Sequence, residues 1–313
     1  MVIILILAAI VASLAAVTFV GARLIERRYP PAGQFVEIEG GRLHVVTLGP
    51  ADAIPVVLLH GASGNLGDMR LALGERLAGK YRVILVDRPG HGWSDRPDGS
   101  ADASPARQAE LIHQALTKLG VDKAIVLGHS WSGAAATAYT LAYPDAVLGL
   151  VLLAPVTHPW PGGVAWINNL VATPLIGPLV AHTLILPAGY FVIAPGVAAV
   201  FSPQTPPPDY AERTGLPMLL RPSEFIANAQ DIAGLKVFVT AQAPRYGEIK
   251  APVAIIAGDA DRVVYTDIHS RGIAAMLPQA KLTVLPGVGH MVQYVAADLA
   301  VQAIEEMAAK IAR

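Results

Sequence analysis

A serine, an aspartate and a histidine each follow a predicted strand, and together they could perform acyl transfer. Ser130 lies in the sequence Gly-His-Ser-Trp-Ser at positions 128–132, directly after the apolar run 124–127. A serine in a tight turn from strand to helix is typical of a nucleophile elbow, where small residues two positions before and after it let the two elements pass closely. Gly128 and Ser132 meet that condition. The alternative is a serine that only caps a helix.

A serine hydroxyl needs an adjacent base, and the base needs a third group to hold its tautomer. His290 follows the last predicted strand in Gly-Val-Gly-His-Met and is the candidate general base, although a single loop histidine can also be a solvated bystander. Asp261 is the candidate acid. Asp259 is the alternative acid, but it lies nearer the strand end, where aspartate often bonds the backbone of a turn.

Acyl transfer also requires hydrogen-bond donors for the oxyanion, and each donor contributes about 3 to 4 kcal/mol. The backbone N–H of Trp131 is one candidate, because it follows the nucleophile at a helix start, where the helix dipole favours negative charge. The second candidate is the N–H of Ala62, in the loop His-Gly-Ala-Ser-Gly at positions 60–64. The sequence therefore predicts an oxyanion hole formed by these two residues.

Other chemistries find little support. His60, His91 and His129 lack the spacing of metal ligands, and the glycines at 61, 64 and 67 do not fit a dinucleotide fingerprint. We predict neither a metal nor a cofactor. The chain has no cysteine, which excludes a thiol nucleophile and a disulfide scaffold. A net charge of −1, without a basic cluster in the predicted folded domain, argues against nucleic acid as a partner.

Alternating strands and helices must position these residues. A hairpin is predicted from 35–38 and 43–48 around Gly40-Gly41, and a helix from Ser104 to Leu119, with Ser104 as N-cap and proline next. Short apolar runs that read as buried strands follow at 56–59, 83–86, 124–127, 148–153, 253–256 and 281–285. The alternation indicates an α/β fold with a mainly parallel, doubly wound sheet.

A long interval between the strands near Ala154 and Val253 breaks this rhythm. It is apolar and rich in proline, so we predict a cap of short helices over residues 156–249, inserted into a core formed by 31–155 and 250–313. Trp160 and Trp166 are candidate substrate-pocket residues in this cap. The alternative is that these aromatic side chains only pack the cap onto the core.

The N-terminus is apolar enough to cross a membrane. Hydrophobic residues make up 53% of the chain and charged residues 15%, against roughly 25% charged in soluble domains. Residues 2–22 carry no charge, and Arg23, Arg27 and Arg28 follow. We predict that residues 1–30 form an uncleaved membrane anchor and linker, with the catalytic domain in the cytoplasm by the positive-inside rule. A cleaved signal and a buried core helix are the alternatives.

Together these residues resemble the α/β-hydrolase superfamily over nearly all of residues 33 to 313. The resemblance rests on the elbow, the His60-Gly61 loop, the acid loop at 258–261, the Gly289-His290 loop and the order serine, aspartate, histidine. It also includes Asp-Arg-Pro-Gly-His-Gly-Trp-Ser at 87–94, similar to a signature that in the superfamily shapes a loop beside the site without being catalytic.

The resemblance implies a hydrolase. Epoxide hydrolases and haloalkane dehalogenases of this superfamily use an aspartate nucleophile, and Ser130 excludes both. Cleavage of carboxylic esters with lipophilic acyl groups is then the leading expectation. Thioester, amide and C–C bond hydrolysis remain open, and so does a noncatalytic ligand-binding role, since members of one fold can differ in function.

Overall fold

A single eight-stranded sheet organises the protein, whose computed structural model describes residues 1–311. The strands are β1 (Gln34–Ile38), β2 (Gly41–Leu48), β3 (Pro55–Leu59), β4 (Arg82–Val86), β5 (Ala124–His129), β6 (Val147–Leu153), β7 (Val253–Gly258) and β8 (Ala280–Leu285). Their order in the sheet is β1-β2-β4-β3-β5-β6-β7-β8. The predicted hairpin is present, and Gly40 adopts the positive φ of 76° that its turn requires.

The sheet is antiparallel only where β2 pairs with β1 and with β4, and parallel in every other pairing. The carboxyl ends of β3, β5, β7 and β8 therefore meet at one edge. Ligands of open α/β sheets bind at this edge, outside the strand ends. The loops that carry Ala62, Ser130, Asp261 and His290 all start there.

Helices cover both faces of the sheet. The first are α1 (Val2–Arg28), α2 (Leu66–Met69), α3 (Glu75–Leu77), α4 (Pro105–Lys118), α5 (Ser132–Ala142), α6 (Trp166–Ala172) and α7 (Ile176–Val180). They are followed by α8 (Leu186–Phe201), α9 (Tyr210–Arg213), α10 (Pro222–Gln242), α11 (Ser270–Met276), α12 (Val292–Val295) and α13 (Ala297–Ile311). π-helical turns at Arg70–Gly74 and Ala181–Ile185 continue into these helices, and 3₁₀ turns lie at Gly99–Ala103, Pro144–Ala146, Leu216–Leu220 and Ala243–Glu248.

Successive side chains along each strand point to opposite faces of the sheet, so the core has two layers, one on each face. On β3, Val57 and Leu59 face the layer formed with α4, α5 and α11, whereas Val56 and Leu58 face the layer with α2 and α13. As predicted, Ser104 is the N-cap of α4 and Pro105 is its first residue, although the Ser104 side chain makes no capping hydrogen bond. The carbonyl of Ser104 instead accepts the Gln108 N–H at 2.9 Å.

Five helices, α6 to α10, occupy the interval between β6 and β7, which we call the insertion (residues 154–252). The prediction of short helices fails in two places. Helix α7, the π-helical turn after it and α8 form one continuous helical stretch, Ile176–Phe201, with Pro187 and Pro195 inside it. Helix α10 extends for 21 residues because its only proline, Pro222, is at its first position. Two helical stretches, Val2–Arg28 and Ile176–Phe201, are long and apolar enough to cross a membrane. The first continues six residues beyond the predicted charge-free run.

Candidate active site

The turn between β5 and α5 places Ser130 in a strained conformation. Its φ is +54°, in the left-handed region that residues other than glycine rarely adopt. Three backbone hydrogen bonds hold it there: the Ser130 N–H donates to Leu153 O at 3.0 Å, and the Ser130 carbonyl accepts from Gly133 and Val156. The strain is therefore imposed by the surrounding fold.

The small residues of the elbow have specific reasons to be small. A Cβ on Gly128 would lie 2.3 Å from the carbonyl oxygen of Ser132, so the strand and helix could not pass with any side chain there. Ser132 replaces the glycine of the strict pattern, and its buried hydroxyl donates to the His60 carbonyl. This hydrogen bond accounts for a serine at that position and turns its hydroxyl away from the cavity.

Two loops bring a histidine and an aspartate to the serine. The Ser130 hydroxyl lies 2.9 Å from His290 Nε2, and His290 Nδ1 lies 2.7 Å from Asp261 Oδ2. The other oxygen, Asp261 Oδ1, accepts the N–H groups of Val263 and Val264 at 2.8 and 2.9 Å. With both oxygens occupied, the carboxylate is fixed in orientation. All three predicted side chains are mostly buried.

The alternative acid, Asp259, points elsewhere. Its Oδ1 accepts the Gly287 N–H at 2.7 Å, which ties the acid loop to the histidine loop, and the residue is exposed. The loops also touch at Gly258, where a Cβ would lie 2.0 Å from the Val288 carbonyl oxygen. The geometry thus pairs His290 with Asp261 and leaves Asp259 in the turn.

Both predicted oxyanion donors lie beside Ser130. The loop after β3 approaches so closely that a Cβ on Gly61 would be 3.0 Å from Ser130 Cβ. Ala62 and Trp131 line the same cavity as Ser130. Among the hydrogen bonds of residues 1–311, neither the Ala62 N–H nor the Trp131 N–H has an acceptor, so both can serve a ligand oxygen.

A fully buried ion pair packs against the loop that follows β3. The Arg88 guanidinium donates to the carbonyls of His60 and Gly61, pairs with Asp231 at 2.6 Å, and stacks 4.1 Å from the Trp131 ring. The Trp131 indole N–H in turn donates to the Asp231 carbonyl at 3.0 Å. Since Asp231 belongs to α10, this cluster joins the insertion to the loops that carry the two N–H groups.

An apolar cavity of about 1170 Å³ opens above Ser130. Its walls come from the His60 loop, the acid and histidine loops and most of the insertion. Trp160 packs against the cluster around Trp131, while Trp166 lies at the start of α6 and is 72% exposed. Both predicted pocket tryptophans line the cavity.

Two features of the cavity were not predicted from the sequence. His269 faces it with Nδ1 accepting the N–H groups of Thr157 and His158, and burial lowers its pKa to about 4, so the ring is neutral. The Asp68 carboxylate accepts the hydroxyls of Tyr210 and Tyr294 and is also in the wall. Burial raises the pKa of Asp68. No local pattern distinguishes either residue.

The histidines that could suggest a metal serve hydrogen bonds instead. Burial lowers the pKa values of His60, His91 and His129 well below the ordinary value, which keeps all three neutral. His60 Nε2 accepts the backbone N–H of Arg88, and His129 Nε2 lies 3.3 Å from the His290 carbonyl oxygen. Within residues 1–311 no group of three His, Asp or Glu side chains is arranged to hold a metal ion.

The sequence matches the alpha/beta hydrolase family over residues 56–303. Relatives include a 2-hydroxy-6-oxo-6-phenylhexa-2,4-dienoate hydrolase from Burkholderia cepacia, 30% identical over 267 residues that cover 82% of this chain and 87% of the relative. A 2-hydroxy-6-oxononadienedioate/2-hydroxy-6-oxononatrienedioate hydrolase from Paraburkholderia phymatum is 32% identical over 278 residues, with coverage of 82% and 88%.

Solved structures share the fold at lower identity. A bacterial membrane phospholipase A superposes with a TM-score of 0.69 at 22% identity and 98% coverage of both chains. An enol-lactonase from Burkholderia xenovorans superposes with a TM-score of 0.67 at 19% identity, covering 88% of this chain and 99% of its own. The family match and the two relatives from Burkholderia cepacia and Paraburkholderia phymatum, both hydrolases, support hydrolase activity. The chain belongs to the alpha/beta hydrolase family.

Proposed function

We propose that this protein is a membrane-anchored serine hydrolase that cleaves carboxylic esters with lipophilic acyl groups through an acyl-enzyme. The observation that carries the proposal is the continuous hydrogen-bonded chain from Ser130 through His290 to Asp261 at the floor of an apolar cavity. Nucleophile, base and orienting acid in such contact define a reaction class by their geometry. No cofactor is needed for this reaction.

In the proposed reaction, Ser130 Oγ attacks the ester carbonyl carbon while His290 Nε2 takes the hydroxyl proton. Asp261 holds the Nδ1 proton and stabilises the imidazolium that forms. The carbonyl oxygen becomes an oxyanion and accepts the N–H groups of Ala62 and Trp131. The tetrahedral intermediate collapses, and the alcohol leaves with the proton from His290. Water then attacks the acyl-enzyme by the same steps, releasing the acid and restoring the serine.

C–C bond hydrolysis is the second candidate, because the relatives named above hydrolyse dienoates. Such substrates carry carboxylates. Among the described cavity-lining residues, the only acid is the buried Asp68, and the only arginine is the exposed Arg262. An anionic substrate would therefore lose water without gaining a buried cation, which is unfavourable. The wall favours neutral lipophilic esters.

Acyl chain length tests the proposal. Each methylene buried in the cavity contributes about 0.8 kcal/mol, or about fourfold in binding. We expect kcat/KM for p-nitrophenyl esters to rise from acetyl to octanoyl, while a succinyl ester and a dienoate are poor substrates. Steady-state kinetics over this series provide the measurement. A flat profile, or a preference for the anionic substrates, would contradict the proposal.

Two alanines of α8 give a matched pair for this experiment. Both are exposed, but Ala188 lines the cavity and Ala194 does not. Ala188→Phe is expected to shift the optimum towards shorter acyl groups by occupying cavity volume. Ala194→Phe should leave the profile unchanged. If both variants behaved alike, the acyl chain would not bind where we propose.

The proposed anchor is α1, whose residues up to Val17 are mostly exposed. The fold of a membrane phospholipase A extends over 98% of this chain, which is consistent with anchoring. We expect the full-length protein to stay in the membrane fraction after carbonate washing, and a protein beginning at Pro30 to be released. A reporter after Arg313 should lie in the cytoplasm, since Arg23, Arg27 and Arg28 follow the span. A mature N-terminus near residue 23, or a periplasmic reporter, would contradict anchoring or orientation respectively.

A further inference from the structure

The insertion has an extended surface without charge. From Ala146 to Pro208 the sequence contains no aspartate, glutamate, lysine or arginine. Many large apolar side chains on and between α6, α7 and α8 are nevertheless half or more exposed, among them Trp166, Leu175, Ile176, Leu184, Phe191 and Val192. We call these six residues the apolar patch. Large exposed apolar side chains concentrated in one charge-free segment indicate a site of contact with another phase or molecule.

The N-terminal helix docks directly beside this patch. The buried Thr18 hydroxyl donates to the Thr183 carbonyl at 3.4 Å, and a Cβ on Gly21 would lie 2.7 Å from Leu186. Ile25 is buried against the same leucine. The second half of α1 is therefore attached to the insertion, and only the first half projects freely.

The free half is too short to cross a bilayer. Val2 to Val17 spans about 24 Å at 1.5 Å per residue, whereas the hydrocarbon core is about 30 Å thick. If α1 spans the membrane, the segment from Thr18 to Ala22 must also lie in the hydrocarbon. The part of the insertion that packs on this segment, around Thr183 and Leu186, is then carried into the membrane boundary with it.

We propose that the apolar patch is a second membrane contact, immersed in the bilayer beside α1, and that the cavity opens into the lipid there. Trp166, Leu184 and Val192 belong to the patch and also line the cavity. A lipophilic ester can then pass from the bilayer to Ser130 without crossing water. The substrate in this inference rests on the proposed function, but the membrane contact does not depend on catalysis.

The surroundings of the patch favour lipid over a second copy of the chain. Arg23 directly follows the span; its guanidinium pairs with Glu26 at 3.1 Å, but its side chain is 64% exposed and can also reach lipid phosphates. Aromatic side chains such as Trp166 and the exposed Tyr190 are enriched at membrane interfaces. The patch, the span and the basic residues therefore form one continuous arrangement suited to a bilayer and its headgroups.

Fluorescent labelling of the full-length protein tests the contact, because the chain has no native cysteine. Phe191, 82% exposed, is replaced by cysteine and labelled with an environment-sensitive dye in vesicles of phosphatidylcholine and phosphatidylglycerol. Asp122→Cys is the control, since this exposed residue precedes β5 at the opposite edge of the sheet. We expect a blue shift and quenching by acyl-brominated lipid at position 191 only.

Kinetics provide the second arm. Phe191→Asp should leave turnover of a water-soluble acetyl ester unchanged and lower turnover of a long-chain ester in the vesicles about tenfold, because charge opposes immersion. Val237→Asp, an exposed apolar residue of α10 next to Lys236, is the matched control and should affect neither substrate. If the protein without substitutions at positions 191 and 237 did not hydrolyse the water-soluble ester, that result would contradict the proposed function but not the membrane contact.

Two results would overturn the membrane contact. One is a dye at position 191 that remains in water while α1 is inserted, together with unchanged vesicle turnover in Phe191→Asp. The other is a dye that is shielded from water, is not quenched by brominated lipid, and becomes exposed to water when the protein is diluted in lipid. The second result would assign the patch to contact between two copies of the chain.

Discussion

Replacing Ser130 with alanine is expected to lower ester turnover by about 10⁴- to 10⁶-fold and to abolish labelling by a fluorophosphonate. The hydroxyl is the group of this residue that hydrogen-bonds His290, and its removal leaves no nucleophile at the end of the hydrogen-bonded chain to Asp261. The backbone bonds of Ser130 to Leu153, Gly133 and Val156 do not involve the hydroxyl. The melting temperature should therefore change little.

Ser132 provides the control because it lies two positions away in the same elbow. Its hydroxyl is buried against the His60 carbonyl, so Ser132→Gly should keep labelling and most activity. Labelling that survives in Ser130→Ala and is lost in Ser132→Gly would make Ser132 the nucleophile. If the protein with Ser130 intact were neither labelled by the fluorophosphonate nor able to hydrolyse any ester, a noncatalytic binding role would be favoured.

His290→Ala extends the same test. Base and nucleophile act as a unit, so either single substitution should cost nearly as much as both together. The double variant is expected to retain the residual activity of the single variants, within about tenfold. Full additivity would indicate that His290 does not take the Ser130 proton. Kinetics of the three variants on one p-nitrophenyl ester give the comparison.

Much of the fold could be predicted because its signals are local. The hairpin turn is marked by adjacent glycines, and the strands by short apolar runs whose predicted and observed bounds differ by only one or two residues. Ser130 is recognisable because the elbow imposes small residues at fixed spacing around it. The order of serine, aspartate and histidine along the chain then narrows the candidates for base and acid to two loops.

Contacts between distant segments could not be predicted in this way. Arg88 belongs to a recognisable motif, but its partner Asp231 is 143 positions away in a helix with no signature. His269 and Asp68 reach the cavity only because the parallel sheet brings separate loops to one edge. Docking of α1 on the insertion likewise depends on the close approach of Gly21 to Leu186, which the pattern of hydrophobic residues along the sequence does not reveal.

The choice between Asp261 and Asp259 shows where sequence reasoning reaches its limit. Both aspartates follow β7, and only turn chemistry separated them. In the structure the Asp261 carboxylate faces the His290 imidazole, and the Asp259 carboxylate accepts a hydrogen bond from the Gly287 N–H. The two positions therefore offer a matched pair, in which the same substitution meets different partners.

Asp261→Asn is expected to lower kcat about 10⁴-fold without disturbing the fold. The asparagine Oδ1 can still accept the N–H groups of Val263 and Val264, so the loop keeps its conformation. Its amide then donates to His290 Nδ1, where the carboxylate accepted. The ring must carry its proton on Nε2 instead, facing Ser130, and can no longer take the serine proton.

Asp259→Asn should change kcat less than about twofold, because an amide oxygen can accept the Gly287 N–H as well as a carboxylate oxygen does. Steady-state kinetics and thermal unfolding of both variants separate loss of chemistry from loss of structure. If Asp259→Asn were the more damaging change at an unaltered melting temperature, the acid would be Asp259. The histidine loop would then have to adopt, during turnover, a conformation that turns His290 away from Asp261.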